Sequence, residues 1–333
     1  MFYIKPDFYH KFKCIADKCT DSCCIGWEID IDENTLEKYN GKNCEFGEKI
    51  RSGIITAEDG SRCFALGENE RCPFLNEENL CEIILNCGEE YLCDICREHP
   101  RFYEWFPGVT ECGLGLCCEE VCRLLLENED GFSLIEESDG EKIILNSKED
   151  TYQSDYYIVI SGIRDGFFRI LFNKDLSFEE KLVRILVKTE YFCGEKCKVK
   201  DYGKSLSEYG KTEPIDEKWS GYINSLNENL SDILKAEKEF NKTFNNMLYS
   251  KILAYIMYRH LIKAVFDRSF KERVLFCIES VRFICLCDMK TFWEKGELTL
   301  KDRIENLKNW SKQIEYSEEN TDLLIYGVAL GEM

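Results

Sequence analysis

The chain has 333 residues, 44% of them hydrophobic, and a net charge of -20. That length can bury one large core or two ordinary ones, and the acidic balance leaves no basic stripe for phosphates, which argues against nucleic acid as a partner. No run of about 18 apolar residues occurs, so no membrane-spanning helix and no membrane partner are expected. The charge is uneven: residues 1–130 hold 13 Lys and Arg against 28 Asp and Glu. Such a surface suits a cationic partner, for example a lysine-bearing protein, although acidic surfaces also serve solubility alone.

The opening segment MFYIKPDFYHKFK is not a signal peptide, because Pro6, Asp7 and His10 interrupt any apolar stretch. A cytoplasmic location is therefore the expectation. Fifteen of the 20 cysteines fall within the first 122 residues. In a reducing compartment such cysteines are more often metal ligands or reactive groups than disulfides. Glycine and proline punctuate this half every few residues, which suits short helices and loops around a metal core. A helix is expected to start at Asp32 or Asn34 with Leu36 and Tyr39 on one face, another over residues 89–98, and a third over 119–129. FSLIE and KIILN then flank Asp139-Gly140 in a strong hairpin signal.

Beyond the hairpin the pattern becomes helical. Ser177-x-x-Glu180 is a capping box followed by Leu182, Ile185 and Leu186. Helical periodicity runs through residues 228–266, with one possible break, and recurs over 269–290 and 299–314. The fold class expected is mainly α: an irregular cysteine-rich metal-binding domain (1–130), a β-hairpin connector (131–150) and a helical bundle (151–333). No βαβ alternation suggests a doubly wound sheet.

Clustered thiolates repel, by roughly 4 kcal/mol for a pair 4 Å apart at an effective dielectric of about 20. They must stay protonated, oxidise or bind a cation. Adjacent residues project differently on a strand or helix, so Cys23 and Cys24 are not expected to grip one ion together. Further ligands would come from Cys72, Cys81, Cys93-x2-Cys96 and Cys117-Cys118. Only Cys93-x2-Cys96 has the spacing of a zinc knuckle, and scattered cysteines also suit an iron–sulfur cluster. Cys277, Cys285 and Cys287 read as core residues, and His10 and His260 as ordinary surface or packing histidines.

The segment Phe12-x-Cys14-x4-Cys19-x-Asp21-Ser22-Cys23-Cys24-x-Gly26-Trp27-x-Ile29-x-Ile31-Asp32 resembles the opening motif of the flagellin lysine N-methylase family. Cys72-Pro73-Phe74-Leu75, Leu80-Cys81-x-Ile83, Leu92 to Cys96, His99-Pro100-Arg101-Phe102 and Leu116-Cys117-Cys118-Glu119-Glu120-Val121-Cys122-Arg123 follow in the family's order. The resemblance covers about the first 125 residues. In the last block Cys117, Glu119 and Cys122 replace the family's Ser, Pro and Ala. The resemblance implies methyl transfer from S-adenosylmethionine to lysines of flagellin or a similar surface protein. It also implies an iron–sulfur cluster, of 4Fe-4S type with zinc as the alternative, on ligands drawn from Cys14, Cys19, Cys23, Cys24, Cys72, Cys81, Cys96 and Cys118.

A lysine must lose its proton before it can attack a sulfonium methyl group. Glu120, in the matched block, is the candidate catalytic base, and Trp27, Phe102, Tyr103 and Trp105 are candidates for a cationic pocket. Gly113-x-Gly115 is a weak nucleotide signal without a preceding strand–helix context. The residues alone leave open a non-enzymatic zinc- or iron-binding sensor or interaction module.

Overall fold

A computed structural model describes residues 1–141, 145 and 147–330 of the chain. It is mainly helical with small sheets, and it divides into two compact units. One comprises residues 1–12, 103–117 and 121–333, and the other residues 13–102 and 118–120.

In the smaller unit, α1 (Glu33–Gly41) starts where Asp32 accepts a hydrogen bond from Thr35 N–H, an N-cap that satisfies one orphan amide. It leads into α2 (Glu45–Ser52) and a two-stranded antiparallel sheet, β2 (Ile54–Thr56) with β3 (Arg62–Phe64). The short helices α3 (Glu82–Cys87) and α4 (Asp94–Glu98) follow. The single helix expected over 89–98 is in fact a 3-10 turn at Glu89–Tyr91 and then α4. The core contains Ile29, Ile31, Tyr39, Phe64 and Phe74, and the Cys24, Cys72, Cys81, Cys93 and Cys96 thiols pack within or against it. Sulfur thus replaces much of the aliphatic surface that a unit this size would otherwise bury.

The larger unit contains a four-stranded sheet in the order β4-β5-β1-β6, formed by β1 (Phe2–Pro6), β4 (Arg101–Phe106), β5 (Val109–Leu114) and β6 (Leu134–Ser138). β4 brings the chain into this unit at Tyr103. β1 pairs parallel with β5, Phe2 opposite Val109, and antiparallel with β6, Pro6 opposite Leu134. β6 therefore pairs with the distant β1. The other arm of the expected Asp139-Gly140 hairpin, residues 142–144 and 146, lies outside the described residues.

After α5 (Glu119–Glu127), the helices are α6 (Lys148–Leu171), α7 (Phe178–Cys193), α8 (Tyr202–Tyr209), α9 (Glu217–Lys235) and α10 (Glu237–Phe240). They continue as α11 (Asn246–His260), α12 (Ala264–Asp267), α13 (Phe270–Lys295), α14 (Leu300–Trp310) and α15 (Glu318–Leu330). The Ser177–Glu180 capping box starts α7 as expected. The periodic stretch 228–266 is broken more than once, into α9 to α12. α11 is buried at every position from Leu248 to His260, the mark of a central helix. α13 packs along it, and α6, α7, α9, α14 and α15 surround the pair.

Buried polar networks hold this bundle. Glu111 on β5 receives both guanidinium arms of Arg164 (2.6 and 2.7 Å) and the Tyr157 hydroxyl (2.7 Å). Asp288 accepts from Tyr249, Arg303 and Asn306. Glu315, at the end of a π-helical turn (Ser311–Glu315), accepts from Ser311 and pairs with His260 and Arg259. The Tyr258 hydroxyl donates to the carbonyls of Ile4 and Cys112, fastening β1 and β5 to α11. His10 and His260 are thus occupied by the carboxylates of Glu137 and Glu315. Gly115 is bare for a packing reason: a Cβ there would stand 2.2 Å from the Tyr316 hydroxyl.

Candidate metal centre

The cysteine-rich unit places its thiols through turns. Residues 20–27 are bends and turns around a lone bridge between Ile25 and Arg71, and Gly26 has φ +81°, a left-handed backbone that favours glycine. In this turn the Cys23 thiol donates to Cys24. The two neighbours have different further partners, and the turn, not strand or helix periodicity, sets where each points.

Cys24 is where two groups of sulfurs meet. On one side, Cys72 and Cys81 each interact with Cys24 and Cys93, and Cys96 interacts with Cys93, Cys24 and Cys72. On the other, Cys23 interacts with Cys24, Cys14 and Cys118. The backbone builds the first group by joining Cys72 N–H to the Cys24 carbonyl (2.8 Å) and bridging Leu75 to Cys81. Cys81 and Cys93 sit at the N-caps of α3 and α4, where helix amides favour negative charge.

Burial and neighbouring thiols set the electrostatics of this group. Burial pushes Cys72 up to about 12, although the Phe74 amide points at its sulfur. Burial also pushes Cys81 up, against the amides of Ile84 and Ile83. The hydrogen bond from Cys23 holds Cys24 down to about 7, helped by Ser22 and Arg71. The Cys96 thiol does the same for Cys93, so Cys96 itself is pushed up. Amides aimed at sulfur stabilise thiolate, not thiol, yet burial keeps several sulfurs protonated.

Of the eight candidate ligands, Cys24, Cys72, Cys81 and Cys96 pack within or against the core of this unit, and Cys14 and Cys118 act electrostatically on Cys23. Cys19 is engaged differently: its thiol donates to the Asp21 carbonyl at 2.7 Å and stands 3.7 Å from the Glu119 carboxylate. Cys93, which the spacing to Cys96 offered but the set implied by the resemblance omits, interacts with the sulfurs of the first group. Glu119, a departure from the resembled motif, accepts from both the amide (2.8 Å) and hydroxyl (2.6 Å) of Thr20. Glu120 is buried in the first turn of α5. Among the aromatic candidates, Tyr103 and Trp105 stack on each other in the larger unit, whereas Trp27 and Phe102 belong to the cysteine unit.

Among the described residues no three His, Cys, Asp or Glu side chains converge as a ready site for one metal ion. The donor set nevertheless fits thiophilic metal chemistry, because contiguous thiols with amides directed at them are the parts from which zinc and iron–sulfur sites are built. Among the described residues no helix is long and apolar enough to cross a membrane.

The chain is 30% identical over 146 residues to the flagellar biosynthetic protein FliU of Salmonella muenchen, covering 41% of this chain and 82% of that protein. It is 29% identical over 142 residues to the lysine-N-methylases of Salmonella typhimurium and Salmonella choleraesuis, covering 40% of this chain and 35% of each of those proteins. The aligned stretch thus spans about a third of the length of those two proteins. No family model and no solved structure matches the chain.

Proposed function

The chain belongs to the lysine N-methylase family that includes FliU, and from that premise we propose that it methylates lysine side chains of flagellin or a similar surface protein. The alignment with proteins named for this activity carries the reading. The methyl donor in this proposal is S-adenosylmethionine. The acidic cysteine-rich half, with 28 Asp and Glu in residues 1–130, complements a lysine-bearing partner.

We assign Glu120 to take the proton that the substrate ammonium must lose, since only the free amine has a lone pair for the new N–C bond. Glu120 stands in the first turn of α5, and its burial keeps water from competing for the proton.

We further propose that Cys24, Cys72, Cys81, Cys93 and Cys96 supply the ligands of an iron–sulfur cluster, with Cys14, Cys23 and Cys118 around it. When bound, such a cluster supplies the positive charge these sulfurs lack and fixes the fold of a unit poor in aliphatic core. Cys19 serves to hold its loop through Asp21 and Glu119.

Two measurements test this reading. Incubation with flagellin and S-adenosylmethionine should add methyl mass increments on lysines, and loss of these in Glu120→Gln should leave the fold intact. No increment on flagellin or other surface proteins would leave a metal-binding module in its place. Protein purified without air should be brown and contain iron and sulfide. A colourless protein holding stoichiometric zinc would remove the cluster.

A further inference from the structure

The larger unit contains a pocket of about 480 Å³ between the α6–α7 and α10–α11 connections, well within the size of small-molecule sites. Its lining includes Lys174, Lys181 and Lys242 and no acidic residue. In a chain of net charge -20, a lining with three lysines and no acidic residue is a local inversion of sign, and of the three Lys242 is paired to a carboxylate, Glu239.

Lys181 carries most of the weight. It is 1% exposed, and its Nζ donates to the Ser250 hydroxyl at 3.1 Å. A hydroxyl is a dipole and cannot neutralise a buried charge. The other buried lysines of the described residues are treated differently. Lys271, Lys290 and Lys308 pair with Glu195, Glu294 and Glu305, and Lys251 donates to the carbonyls of Leu126 and Asn128. Lys181 also lies in the N-terminal turn of α7, the end of a helix that disfavours a cation. Burial pulls its pKa down, with no carboxylate to oppose it. Each circumstance is unfavourable for the protein alone, and each is reversed by an anion in the pocket.

We propose that this pocket binds a small molecule carrying a phosphate group. Three lysines in one lining offer more donors than a carboxylate can use, and a phosphate dianion accepts on several oxygens. Lys242, exposed and paired with Glu239 at the rim, draws the anion in. Half-buried Phe244 and Met247 line the same space and cover the apolar part of the ligand. The proposal does not depend on the methyl-transfer reading, because the methyl donor carries no phosphate.

The full chain is titrated with inorganic phosphate, followed by calorimetry and thermal denaturation, against sodium chloride of equal ionic strength. Phosphate should bind and raise the Tm. Lys181→Met, which removes the charge and keeps the shape, should raise the Tm in phosphate-free buffer and weaken phosphate binding at least tenfold. Lys242→Ala, on the surface, should weaken binding severalfold with an unchanged fold, and it serves if Lys181→Met fails to fold. Absence of a phosphate response in the unaltered chain, or an equal response in Lys181→Met or Lys242→Ala, overturns the proposal. Vesicles of phosphatidic acid present the same group on a surface, and co-sedimentation that requires Lys181 would overturn a soluble ligand.

Discussion

Removal of Arg164 should be among the most damaging single changes in the larger unit. Both of its guanidinium arms meet Glu111, and neither side chain is more than 2% exposed. In Arg164→Met the carboxylate remains in the core with the Tyr157 hydroxyl as its hydrogen-bond donor at 2.7 Å. Breaking a buried pair from one side costs about 3–5 kcal/mol, because an uncompensated charge is left behind. Replacing both partners by apolar groups of similar size is often neutral, so Glu111→Met with Arg164→Met should recover most of the loss. The coupling between the two positions should then reach about 3 kcal/mol. Urea unfolding of the four proteins, followed by far-ultraviolet circular dichroism, measures it. A cost below about 1 kcal/mol for Arg164→Met, or a double variant no better than the sum of the singles, would refute the idea that the pair is closed to water.

Cys24→Ser and Cys93→Ser should each lower the iron content of anaerobically purified protein, whereas Cys44→Ser, exposed and outside both thiol groups, should leave it unchanged. Glu119→Ala removes the acceptor of the Thr20 amide and hydroxyl and should cost about 1 kcal/mol, seen as faster hydrogen exchange at Thr20. Burial pulls His260 down to about 4, so between its ordinary value near 6.5 and about 4 the unfolded chain binds a proton that the folded chain refuses. Stability should therefore fall as the pH drops through that window, and denaturation midpoints for His260→Gln should fall less steeply.

What could be read from the sequence was local. The Asp32 cap and the Ser177–Glu180 box announce their helices within four residues, through bonds between near neighbours. The thiol density was equally plain. Long-range pairing was not: nothing in FYIKP says that β1 will lie between β5 and β6. Nor could the sequence show that Arg164 faces inward, because its partner Glu111 is 53 residues away. Cys23 and Cys24 sit in a turn, which strand or helix periodicity does not describe, and Gly26 was the one hint of it. Cys93 was visible as a spacing, since Cys93-x2-Cys96 is local in the chain.

Residues 13–102 lie between two parts of the larger unit's chain, which makes the cysteine unit an insertion. Phe2 is paired with Val109, so β1 is synthesised more than a hundred residues before its neighbour β5. Until the insert folds, that pairing must close a long flexible loop, and each halving of the effective loop length returns about 0.6 kcal/mol. The sheet of one unit thus becomes a register of whether the thiols of the other have found their arrangement. Any slowing of the insert's folding would then be felt first as a delay in joining the first strand to its sheet.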